Sequence, residues 1–163
     1  MDKFPWNKRY ALGISEVDDQ HLTLIYILNN LGDYVEKGHV ESVRTVMVPM
    51  LTSYMGNHFA FEQKAMLEAG YDHLVGHIAA HQDFSDRAKT IIHGTADPLR
   101  MAKDLHLLVF RWFIEHLVAE DGRFGRWLAE HPDHKRDVFP AGTRILRTSA
   151  VRRTTQVVRR GQL

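Results

Sequence analysis

Histidine and carboxylate recur at helical spacing in this chain. His58 and Glu62 stand four residues apart in His58-Phe59-Ala60-Phe61-Glu62, and His77 and His81 repeat the interval. His21 closes Asp18-Asp19-Gln20-His21, and His116 precedes Asp121 by five residues. On an α-helix an i,i+4 pair is offset by only about 40°, so both side chains reach one point. Imidazole is the commonest metal ligand among side chains. Five neutral imidazoles and two carboxylates exceed the four donors of a tetrahedral zinc site. They suit two first-row metals with the carboxylates bridging. Imidazole accepts iron, zinc, copper and nickel alike, so donor type alone does not choose the metal. The His116–Asp121 interval fits an unbroken α-helix poorly, because five residues turn about 140°. The helix is therefore expected to bend or end there, with Gly122 as the stop.

These residues need four helices to carry them. From Val17 to Lys37 the apolar positions Leu24, Ile25, Leu28, Leu31 and Val35 recur at helical spacing, and Gly38 is a stop. A second run covers about Glu41 to Ala69 and ends at Gly70. Pro49 inside it predicts a kink or a late start. A third runs from about His73 to His93 and closes at Gly94. Asp97-Pro98 is a start signal for a fourth, an N-cap followed by proline at the first helical position. Its inner stripe is Leu105, Leu108, Val109, Trp112, Phe113 and Leu117, and it reaches about Glu120. Phe124, Trp127 and Leu128 mark a short helix before His131-Pro132. Short connections between long amphipathic helices predict an all-α, antiparallel up-and-down four-helix bundle. Phe4, Trp6, Tyr10 and Leu12 are expected to pack an N-terminal arm onto it. In that topology His21 near the start of one helix meets His58 and Glu62 near the end of the next. His77 and His81 at the start of the third then meet His116 and Asp121 at the end of the fourth. One end of the bundle collects all seven. The remaining histidines, His39, His73, His93, His106, His131 and His134, read as surface or loop residues. Among them His73 is worth watching because it shares the third helix with His77 and His81.

The 163 residues predict one bundle domain, 1–133, and a basic tail, 134–163. From His134 on there are eight basic residues and one acidic one, a net of +7. The formal total of +1 then leaves −6 for residues 1–133. This asymmetry points to an anionic partner for the tail. Absence of cysteine excludes disulfides and thiolate ligands. No apolar run is long enough to span a bilayer, and the N-terminus reads as having no export signal. A cytoplasmic protein, with a monomer favoured, is the expectation.

Asp18-x-Gln20-His21, His58-Phe59-x-x-Glu62, His77-x-x-x-His81 and His116-x-x-x-x-Asp121, in this order, resemble the bacterial hemerythrins, over roughly Trp6 to Leu128. The resemblance implies a non-haem di-iron centre, oxo- or hydroxo-bridged, that binds O2 reversibly for storage, delivery or sensing. It implies His77, His81 and His116 on one iron, His21 and His58 on the other, and Glu62 and Asp121 as bridges. The two-histidine iron would keep the position for O2. Helical spacing adds Ile25, Leu28, Phe59 and Phe113 as expected walls of an apolar O2 pocket. Two Fe(II), two carboxylates and one hydroxide would leave a single net positive charge, a set with fewer anions than the carboxylate-rich di-iron oxidases. Where the family often has a second Glu after the bridging one, this chain has Gln63, which is expected to point away from the metals. An enzyme is not expected. The competing readings are an oxidase that consumes O2 or peroxide, and a sensor of O2 or iron acting through the tail.

Overall fold

The computed structural model describes residues 3–139. Four long helices form the bundle: α1 (Ser15–Glu36), α3 (Val48–Ala69), α4 (Leu74–Gly94) and α5 (Pro98–His116). A single short turn of helix, α2 (Val40–Ser42), and a π-helical turn (Val43–Met47) lead into α3. A second π-helical turn (Leu117–Asp121) joins α5 to α6 (Gly122–Glu130), and α7 (Pro132–Val138) follows. The long helices alternate in direction. α1 packs on α3 and α5, and α4 packs on the same two. This is the up-and-down arrangement that the periodicity predicts.

The boundaries follow local chemistry. The run does not start late at Pro49: it is helical without a break from Val40, and the π-turn Val43–Met47 widens it just before the proline, which has no N–H to donate. Gly70 takes a left-handed φ of 69° and stops α3, with Tyr71 N–H donating back to the Met66 carbonyl at 2.9 Å. Asp97 caps α5 by accepting from the Leu99 and Arg100 amides at 2.9 and 3.2 Å. The arm is tied to α1: the Phe4 amide donates to Asn29 Oδ1 at 2.7 Å, and Asn29 Nδ2 donates to the Phe4 carbonyl at 3.0 Å.

Two apolar clusters fill the interior. The larger one takes the C-terminal half of α1, the N-terminal half of α3, and α4 and α5 opposite them, with Leu31, Leu51, Phe84 and Leu105 at its centre. The smaller one caps the other end with Ile14, Val17, Met66, Ala69, Tyr71, Phe124 and Leu128. α6 supplies two of those residues, because its apolar positions recur on one side. α7 closes the cap: Phe139 packs against Phe61, and His134 Nδ1 donates to the Ala69 carbonyl at 2.7 Å. Residues 134–139, expected as the start of the tail, thus continue a helix docked on α3. The rest of the expected tail, residues 140–163, lies outside the described residues.

Candidate metal centre

Between the two apolar clusters lies a layer that is polar and dry. His21, His58, Glu62, His77, His81, His116 and Asp121 are each at most 4 % exposed. The i,i+4 pairs on α3 and α4 point inward as their spacing requires. His116 and Asp121 converge by a different device from the one expected. The helix does not end at Gly122. It widens into the π-turn Leu117–Asp121 and continues into α6. In a π-turn the hydrogen bond spans five residues instead of four, so residues five apart return to one side.

All five imidazoles present Nε2 to the two carboxylates. Glu62 lies 3.5 Å from His58, 3.5 Å from His77, 3.4 Å from His81 and 3.6 Å from His21. Asp121 lies 3.1 Å from His116, 3.2 Å from His21 and 3.6 Å from His77. The donors sort into two groups whose ligand atoms lie within 4.8 Å of one another: Glu62, His77, His81 and His116, and His21, His58, Glu62 and Asp121. Glu62 belongs to both.

This layer is not satisfied by its own hydrogen bonds. Both ring nitrogens of His21 and His77, with Glu62 Oε2 and Asp121 Oδ1, are buried without a hydrogen-bond partner among the described residues. Such groups are costly unless something compensates them. The electrostatics say what would. Burial disfavours the charged form of His21, yet Asp121 and Glu62 overcome it and hold the ring up to about 9. Burial also opposes ionisation of Asp121, and so does Glu62, but His116 and His21 bring it down to about 2. Glu62 is held well below the usual range, its burial outweighed by His58 and by the His21, His77 and His81 rings that face it. Burial pushes His58 down to about 4, with Glu62 only partly offsetting it. His81 is lowered by burial against the pull of Glu62. Two dry carboxylates ringed by imidazoles, two of which burial keeps neutral, make a cation site, and two metal ions with N and O preference fit the donor set.

Around the donors the walls are aromatic. Phe59 stacks on His81 at 3.7 Å between ring centres, and Trp112 stacks on His116 at 4.3 Å. Phe113 meets His21 edge-on at 6.0 Å. Of the four residues expected to wall an O2 pocket, Phe59 and Phe113 thus touch the donors. Ile25 and Leu28 sit one and two turns along α1 from His21, buried in the larger cluster. His73 stays exposed, 3.9 Å from its neighbour Asp72, and does not join the layer.

Two glutamines support the histidines from behind. Gln20 Oε1 lies 2.8 Å from His58 Nδ1 and can only accept, so that nitrogen carries the proton. The Tyr54 hydroxyl donates to the backbone carbonyl of Gln20 at 2.8 Å. Gln63 does not point away as expected. It is half-buried, with its carboxamide nitrogen 3.2 Å from His81 Nδ1. Adjacency to a ligand, Gln20 before His21 and Gln63 after Glu62, is the signal the sequence offers for both. It says nothing of which neighbouring helix the side chain reaches.

The chain matches the Hemerythrin HHE cation binding domain over residues 12–128. It is similar to the bacteriohemerythrin of Stenotrophomonas maltophilia (strain R551-3), 25% identical over 127 residues, covering 77% of this chain and 82% of that one. The bacteriohemerythrin of Pseudomonas aeruginosa (strain LESB58) is 26% identical over 124 residues, 76% of this chain and 80% of the relative. Hemerythrin subunit alpha of Lingula anatina is 25% identical over 123 residues, 76% and 93% of the two chains. No solved structure matches.

Proposed function

From the premise that this chain belongs to the hemerythrin HHE cation-binding family, we propose that the polar layer holds two irons and that the bundle carries O2 reversibly. The protein binds O2 at a non-haem di-iron centre. The observation that carries this reading is the pair of four-donor groups sharing Glu62 in a layer sealed by apolar clusters at both ends. His77, His81 and His116 would hold one iron, His21 and His58 the other, and Glu62 and Asp121 supply the carboxylates of the site. His21 and His58 are two histidines where the other half has three, so O2 would be taken up on their side; bound iron would supply the reversible electron exchange with O2.

The chain's own residues make that exchange reversible. Nδ1–H of His58 is fixed on Gln20, which aims Nε2 at Glu62. Outer partners of this kind set a ligand's tautomer and orientation. Phe59, Trp112 and Phe113 keep water from the donors, and dry walls withhold the protons that a net reduction of O2 would consume. The Tyr54 hydroxyl is engaged with the Gln20 carbonyl, and burial raises its pKa, so it is a poor proton source. These features favour a carrier over an oxidase.

The test is anaerobic loading with Fe(II), an iron count per chain, and cycles of O2 and purging followed by visible absorption. Two irons and a charge-transfer band that comes and goes over repeated cycles are expected. Two irons with a single irreversible conversion to the ferric form would reject reversible carriage. Failure to hold two irons would reject the centre itself.

A further inference from the structure

His81 is gripped from two sides, and only one of them distinguishes its two ring orientations. Phe59 lies parallel to the imidazole, with 13° between planes. A half-turn about the bond to the ring leaves that stack unchanged, because the ring stays in its plane. It nevertheless exchanges Nδ1 with a carbon and takes Nε2 away from Glu62. A polar partner at Nδ1 adds to the Nε2 contacts, 3.4 Å to Glu62 and 2.9 Å to His116 Nε2, in selecting one orientation. Gln63 occupies that place, 3.2 Å from Nδ1. It stands next to Glu62 on α3, so one turn of helix supplies both the shared carboxylate and the support for a histidine on α4.

The chemistry of the pair follows from the lone pair. A ring that offers Nε2 to a metal carries its proton on Nδ1. The carboxamide must then accept through Oε1, which a half-turn of the amide provides, its O and N being near-equal in shape. A carboxylate could accept the same proton, but it would pull on it harder and leave the ring partly imidazolate, adding negative charge at the metal. A carboxamide aims the ring without adding charge. His58 is served in the same way by Gln20. The two halves of the centre therefore each have one histidine backed by a neutral amide.

We propose that Gln63 is a positioning residue for His81, fixing the ring with Nε2 toward the metals while its neutrality holds the iron pair in the ferrous state that takes up O2. This rests on the di-iron reading above. The full chain is used, as wild type, Q63L and Q63E. Iron per chain is counted first, then release to an excess of ferrous chelator, then the ferric-to-ferrous ratio in redox buffers. Q63L removes the acceptor at similar size and is expected to release iron at least tenfold faster, the low end for loss of an outer partner. Q63E keeps the hydrogen bond, so its release stays as slow as wild type. Its ferric-to-ferrous ratio at fixed potential is expected to rise at least tenfold, or about 59 mV for one electron. Wild-type release in Q63L overturns the positioning role. A wild-type ratio in Q63E overturns the role of neutrality. Fewer than two irons in the wild type would instead reject the centre, and that result is separate from both.

Discussion

Toward one end of the bundle, Leu31, Leu51, Phe84 and Leu105 fill the space between the four long helices. Toward the other, the same helices present His21, Glu62, His77 and, at the end of α5, His116. The apolar layer gains from burial alone, at roughly 25 cal/mol per Å2 removed from water. The polar layer loses by burial alone, and its orphaned ring nitrogens and carboxylate oxygens mark where. The difference teaches that one layer makes the fold and the other uses it. The layer that makes the fold should be indifferent to iron, and the layer that uses it should respond to little else.

The largest effect should come from crossing the two. Glu62 is the donor common to both groups, so Glu62→Ala should abolish stoichiometric iron and with it the iron-dependent rise in melting temperature. Leu105→Ala should cost about 2–5 kcal/mol whether iron is present or absent, while keeping two irons per chain. Denaturant unfolding of both variants, loaded and stripped, checks the pair. Two irons in Glu62→Ala, or a Leu105→Ala penalty that depends on iron, would erase the distinction between layers.

The next effect sharpens the comparison within the polar layer. On a regular α-helix the carboxylate that pairs with His116 is four residues on, which is Glu120. The π-turn gives that place to Asp121 and turns Glu120 outward, where it meets Arg123 at 3.3 Å. Asp121→Ala should therefore lower iron below two per chain, and Glu120→Ala should leave it at two. An iron assay of the two variants decides, and the reverse order would mean the helix is regular there.

These variants also separate what is legible in the amino-acid sequence from what is not. His58 with Glu62, and His77 with His81, declare themselves because regular α-helix converts spacing directly into facing. The gathering of all seven donors follows from alternating helix direction, which short connections impose. The π-turn is not legible: five residues between His116 and Asp121 say only that something irregular must happen, and an ending at Gly122 satisfies the same arithmetic. Gln63 escapes the spacing argument for a related reason. Its angle on α3 puts it beside the donors, and whether it faces solvent or α4 depends on how closely that helix packs. The docking of α7 on α3 is hidden by a run of charge, since Lys135 and Arg136 read as tail while Val138 and Phe139 pack against the cap.

The smallest effect is a slope with pH, and it separates the layers without mutation. In protein stripped by a chelator, His21 has a folded pKa of about 9 against 6.5 for the free side chain. A raised value contributes stability that is complete below pH 6.5 and is lost as pH climbs through about 9. His58 works in the other direction. Its folded value of about 4 means that below pH 6.5 the unfolded chain takes up a proton that the folded one refuses, so stability falls between pH 6.5 and about 4. The stripped protein should thus be most stable near pH 6.5. Iron needs His21 neutral, so loading expels that proton and removes the alkaline decline. Urea midpoints between about pH 5 and 9, with and without iron, should show a maximum for the stripped protein and none on the alkaline side for the loaded one. A stripped protein whose stability holds level or rises from pH 6.5 to about 9 would mean that Asp121 and Glu62 do not keep a proton on His21. The two carboxylates would then pull on a cation in the layer less strongly than their distances from His21 imply.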